Sequence, residues 1–182
     1  MPKIKLKPKI EKRLSQARIN QMTLLFVGIF AISAVTYVGT NHNQASQAAT
    51  IGGLYVTPPS SQVEPGTTVA VTVREQSGTD AVNAVQAALT YNAAQLQFVS
   101  ITEGTAFPFK AAPDTATAGM VRLARGVNVG AAGVSGDNIV VTVNFKVLAT
   151  SGTAAVQFNT DQSLIVRSSD NANILSTATG GS

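Results

Sequence analysis

The 182-residue sequence contains one histidine, His42, and no cysteine. A Ser-His-Asp triad or a histidine metal site needs imidazole inside the folded part, and His42 lies in a polar stretch ahead of it. Without cysteine there is no disulfide, thiolate metal site or cysteine nucleophile. Glu64, Glu75, Asp80, Glu103 and Asp114 are the carboxylates that could pair for acid–base work on a glycosidic bond. Each stands near a predicted turn or strand end, so solvated side chains are the expectation. Asp161, Asp170, Asn171 and Asn173 carry the oxygen atoms calcium takes, but their spacing matches no calcium loop and turn formation accounts for them better. Neither catalysis, a metal nor a cofactor is expected.

What remains is binding chemistry. Phe107-Pro108-Phe109-Lys110 puts two aromatic rings close together in a region of small residues, and Arg122 and Arg125 follow on the next predicted strand. An exposed aromatic pair flanked by guanidinium groups suits a protein interface, so Phe107, Phe109, Arg122 and Arg125 are the candidate partner-binding residues. The competing use of that stretch is a ring that plugs the end of the fold. Sugar binding commonly uses planar aromatic platforms; the sequence has no tryptophan, and Tyr55 and Tyr91 are the only tyrosines after residue 50. They are the alternative, carbohydrate-binding candidates.

The elements that must position these residues are strands. Val69, Val71 and Val73 alternate with Ala70, Thr72 and Arg74. In Ile139 to Val147 the apolar set Ile139, Val141, Val143, Phe145 and Val147 alternates with Thr142, Asn144 and Lys146, giving one predicted core face. Other predicted strands are 54–57, 82–91, 96–102, 120–124, 154–158 and 164–166, separated by turn signals at 64–66, 76–80, 135–138 and 169–171. With no amphipathic helix among them, they predict an all-β fold: an antiparallel two-sheet jelly-roll sandwich of about nine strands.

Charge divides the chain. Residues 1–21 have seven basic side chains against Glu11, whereas the remainder has six basic and eight acidic ones. A mildly acidic domain has no basic face for nucleic acid. Met22 to Val38 is seventeen residues without a charge, just long enough to cross a hydrocarbon core. The reading is a basic cytoplasmic leader (1–21), a transmembrane helix in the lipid bilayer (22–40), a polar linker (41–50), a β-domain (51–178) and a tail (179–182). The basic leader stays inside, so the β-domain is expected to be extracytoplasmic on a single-pass anchor. The alternative is secretion after cleavage following Ala48, where Ser46 and Ala48 supply the small residues.

One stretch carries a resemblance. LTYNAAQLQFVSITEG (Leu89 to Gly104) ends a strand on Tyr91, turns at Asn92 and restarts at Leu96. It is followed by GMVRLA (Gly119 to Ala124), SGDNIVVTVNFKV (Ser135 to Val147) and DNANI (Asp170 to Ile174). In this order, over about Leu54 to Leu175, the segments resemble a cohesin domain, a relative of carbohydrate-binding modules. The usual Tyr-Asp-Pro corner is here Tyr91-Asn92-Ala93, which retains the aromatic and the Asx residue without the proline. The resemblance implies a nine-stranded β-sandwich that docks a calcium-containing dockerin on one sheet face, in systems that assemble polysaccharide-degrading enzymes or attach proteins to a surface. Polysaccharide binding on the same scaffold is the second expectation, and a structural surface protein the third.

Overall fold

The computed structural model describes residues 52–182. The basic leader, the apolar segment 22–40, the linker and the cleavage site after Ala48 lie outside the described residues. Among the described residues no helix is long and apolar enough to cross a membrane. They form nine strands: β1 (Gly52–Thr57), β2 (Thr68–Tyr91), β3 (Leu96–Glu103), β4 (Phe109–Thr117), β5 (Met120–Gly126), β6 (Val134–Val147), β7 (Val156–Phe158), β8 (Leu164–Arg167) and β9 (Leu175–Thr179). A single 3-10 turn, Thr160–Gln162, sits between β7 and β8.

β2 organises the fold. At ~3.3 Å per residue its 24 residues would span roughly 80 Å if straight, so the strand must bend. It does so between Gln76 and Val82, where its register with β6 slips twice. The first half pairs with β1 and β6, continuing outward to β9 and β3. The second half pairs with β5, β7 and β8, and β5 carries β4. One sheet is thereby folded over itself into two layers. Inward side chains from both halves of β2 (Val71, Val73, Val85, Leu89) share one buried cluster with Leu54, Val121, Leu123, Val143, Phe145 and Ile165.

The all-β expectation holds, with one correction to its strand directions. β9 runs parallel to β1, so the sheet is mixed. β9 is reached from β8 by a bend tied with side chains, not a tight hairpin, and enters on the far edge of β1. Its end also corrects the domain limit: Gly181 bridges Val156 in both directions and Ser61 N–H donates to Ser182 O at 3.0 Å. Residues 179–182 are therefore part of the fold and not a free tail.

Two predicted turns are strand interiors. Gly78 and Gly136 both lie in the left-handed region, with φ of 60° and 91°, and they face one another across β2 and β6. A glycine pair that signals a turn in sequence serves here as a paired kink within two strands. The core face of β6 is also shifted. Val73 pairs with Val141 but Arg74 pairs with Ile139, so Val140 is an extra, bulged residue. Val140 is fully buried in place of Ile139, which is 41% exposed. Gly104 donates to Val140 O at 3.1 Å, and a Cβ there would lie 2.5 Å from the Ile139 and Val140 carbonyl oxygens, so only glycine fits against the bulge.

The Tyr91 corner forms as its sequence predicts. Asn92 Oδ1 accepts Ala94 N–H and Asn92 O accepts the amides of Gln95 and Leu96, each at 2.9 Å. Tyr91 packs on Phe145 with ring centroids 4.9 Å apart and donates its hydroxyl to Thr117 O.

One inward residue breaks the apolar rule. Glu75 continues the buried row Val71, Val73 along β2 and is fully buried, contrary to the solvated position expected from its sequence context. Asn138 donates to Glu75 Oε2 at 3.1 Å, while Glu75 Oε1 has no hydrogen-bond partner. Burial pushes the Glu75 carboxyl above its ordinary value, and the nearby Asp137 charge acts in the same direction. A carboxyl raised in this way contributes its full stability below the unfolded-state value and loses it as pH rises through the folded-state value. Glu75→Gln is therefore expected to leave stability unchanged near pH 4 and to raise it by about 1 kcal/mol at pH 7. Urea denaturation at the two pH values measures this; equal effects at both would contradict it.

Candidate functional site

The two layers present different outer faces. On the β3-β6-β2-β1 layer the register aligns Thr102, Thr142, Thr72 and Thr57 in one row. Its polar groups bond one another: Thr72 to Thr142 at 3.0 Å and Asn144 to Ser100 at 3.1 Å. Nearby, Arg74 donates to Tyr55 and Asp137, both at 3.0 Å, and its guanidinium lies 6.0 Å from the Tyr55 ring centroid. This surface is polar and largely self-satisfied.

The β4-β5-β2-β8 layer differs. Directly opposed residues of antiparallel strands share a face. With Val85, Leu89, Val121, Leu123 and Ile165 buried, the outward set is Ala84, Gln86, Ala88 and Thr90 on β2, and Met120, Arg122, Ala124 and Gly126 on β5. Leu164 and Val166 of β8 extend it on one side. Thr115, Ala112 and Phe109 of β4 extend it on the other. Small side chains on adjacent strands make a low, nearly neutral surface in which Arg122 is the one charged residue of the set. A face of this kind suits close approach of a protein partner better than capture of a small molecule.

The sequence-predicted binding residues separate here. Arg122 is exposed at the middle of this face, and Phe109, 36% exposed, opens β4 at its corner opposite Gly126. Phe107 is fully buried in the shared core and presents nothing to a partner. Arg125 is also fully buried. It pairs across from Val85, so it points inward, and reaches Glu103 on β3 and Asp114 on β4. Its Nε to Glu103 Oε2 distance is 2.5 Å, and its two terminal nitrogens bond Asp114 at 2.7 and 2.8 Å. Lys110 caps the same two carboxylates at 3.2 and 2.9 Å. Arg125 thus clasps the edges of the two layers. For Glu103 and Asp114 burial favours the neutral acid, but the bonds from Arg125 and Lys110 outweigh it and hold both carboxyls below their ordinary values. Sequence reading missed the clasp because Glu103, Lys110, Asp114 and Arg125 come from three strands, one of them unpredicted.

The carbohydrate candidates are otherwise engaged. Tyr91 turns its ring onto Phe145, and Tyr55 has Arg74 above it and its hydroxyl on Asp137 at 2.5 Å. They also lie on different parts of the fold and form no joint platform. The Asp170 region is turn chemistry. Two bonds from Arg167, with the Ala172 N–H, pull the Asp170 carboxyl down to about 2. Asn173 Oδ1 accepts the amides of Ile165 and Leu175, and Asn171 takes the left-handed conformation at φ 58°. Among the described residues no group of three or more His, Cys, Asp or Glu could hold a metal ion.

A family model for the cohesin domain matches residues 54–182, and the chain belongs to that family, one of binding modules. Solved structures share the fold. The solution structure of CaCohA2 from Clostridium acetobutylicum is 18% identical with a TM-score of 0.63, covering 73% of this chain and 89% of that one. The third cohesin of ScaC from Acetivibrio cellulolyticus, solved with the ScaB dockerin, is 14% identical with a TM-score of 0.60, covering 72% and 96%. A non-cellulosomal cohesin from the archaeon Archaeoglobus fulgidus is 16% identical with a TM-score of 0.57, covering 72% and 88%. No curated protein matches the chain.

Proposed function

We propose that this cohesin domain docks a dockerin-type protein on the outer face of β4-β5-β2-β8. The observation that carries the reading is the contrast between the two layers: one outer face is polar and internally bonded, the other small-residued and low with an exposed arginine at its middle. Family membership supports it, and the Acetivibrio cellulolyticus cohesin was solved in complex with the ScaB dockerin. Docking brings partners together without chemistry on either, in keeping with a domain whose carboxylates are spent on clasps, turns and burial.

The location of this docking is part of the same reading. A net positive leader followed by an uncharged seventeen-residue apolar segment would hold the domain outside the membrane on a single-pass anchor. Capture from lysate and secreted fractions of the source culture, on the immobilised full chain with calcium and then with chelator, tests the docking. A protein retained with calcium and released by chelator, and identified as carrying a dockerin module, is the expected result. Retention on polysaccharide with no such protein would overturn it. Protease treatment of intact cells tests the location: the β-domain is expected to be cut, and its protection would sink the anchored, outward placement.

A further inference from the structure

Resting on the docking face proposed above, we infer that Arg122 selects a partner by a carboxylate: an Asp or Glu side chain of the dockerin-type module, flanked by small or apolar side chains, that meets the middle of the face. The domain's three other arginines are all engaged in ion pairs. Arg74 is paired with Asp137, Arg125 with Glu103 and Asp114, and Arg167 with Asp80 and Asp170. Arg122 alone among the four forms no ion pair within the described residues, and it is exposed.

Its surroundings make that guanidinium a specificity element. Arg122 lies opposite Ala88 on β2 and Thr115 on β4, with Ala124 two residues along its own strand. Ala88 and Ala124 end at Cβ, so neither neighbour carries a group that could pair with the guanidinium. No carboxylate belongs to the outward set; Asp161, on the 3-10 turn beside β2, is not paired with it. A partner that covers this face removes water from the guanidinium. Water is then replaced by a planar, two-pronged acceptor or by nothing, and the second case is costly. A basic partner side chain at this point would be rejected on the same ground, which makes the residue a filter as well as an anchor.

The test uses calcium-loaded dockerin modules displayed on phage and selected on the full chain. Selected binders are then measured against Arg122→Glu, Arg122→Lys and Lys146→Glu. Lys146 is exposed on the opposite layer, and its replacement changes net charge by the same amount as Arg122→Glu. The expected result is a loss of about 30-fold or more in affinity for Arg122→Glu, a smaller loss for Arg122→Lys, and less than about 2-fold for Lys146→Glu. An Asp or Glu to Arg change in the binder should restore affinity for Arg122→Glu. Binders that hold Arg122→Glu as tightly as the natural sequence would overturn the role of Arg122 while leaving the docking reading in place. A library from which no dockerin binds would overturn the docking reading and this inference with it.

Discussion

Arg125→Ala is expected to lower the stability of the β-domain by about 3 kcal/mol, measured by chemical denaturation at pH 7. The size follows from what the substitution leaves behind. Arg125 has no exposed side-chain area and bonds both Glu103 and Asp114, so its loss removes the only buried cation between two carboxylates. Glu103 is about half exposed and would regain water, which keeps the cost at the lower end of the usual range for a broken buried pair. Asp114 is mostly covered and would retain only Lys110. A pH signature separates this from simple loss of packing. Carboxyls held below their ordinary values contribute stability that is present above the unfolded-state values, about 4, and is lost as pH falls through the folded-state values. The acid limb of the natural domain should therefore be steeper than that of Arg125→Ala. Parallel acid limbs would show that the clasp contributes packing and not charge.

How much of this was legible in the sequence depended on whether one strand or several carried the information. Val71 with Val73 and Val141 with Phe145 were predicted as core because alternation within one strand is enough to assign them. The Asn92 turn was legible for the same reason, its bonds reaching no farther than Leu96. Ile139 failed because the bulge at Val140 is set by a neighbour in space: the close approach of Gly104 fixes the Val140 carbonyl. β4 is absent from the predicted strands because FKAAPDTAT has no alternation and contains Pro113. An edge strand tolerates both, since its outer side makes no ladder and Pro113 falls within a register break between Ala112 and Thr115. Missing β4 concealed both the clasp and the width of the docking face. The candidate site is thus half legible: Arg122 and Phe109 lie exposed on the face, whereas Arg125 and Phe107, three and two residues away from them in sequence, are buried.

That contrast sets the second large effect. Phe107→Ala is expected to destabilise the domain by about 3–5 kcal/mol, and Phe109→Ala by less than about 1 kcal/mol. Phe107 lies on the short crossing from β3 in one layer to β4 in the other, and its ring is fully enclosed by the core both layers share. Truncation leaves a cavity between layers that are joined through the bend of β2 and clasped by Arg125, so neither can close freely on the space. Phe109, two residues on, has rotated onto the outer face with a third of its surface exposed, and its removal leaves solvent where the ring was. The affinity order should be the reverse: Phe109→Ala weakens capture of a docked partner, while Phe107→Ala, measured at a temperature where it remains folded, leaves that affinity intact. Thermal melts together with binding isotherms for both variants measure the two orders at once. Equal destabilisation by the two substitutions would place both rings in the core and remove Phe109 from the docking face.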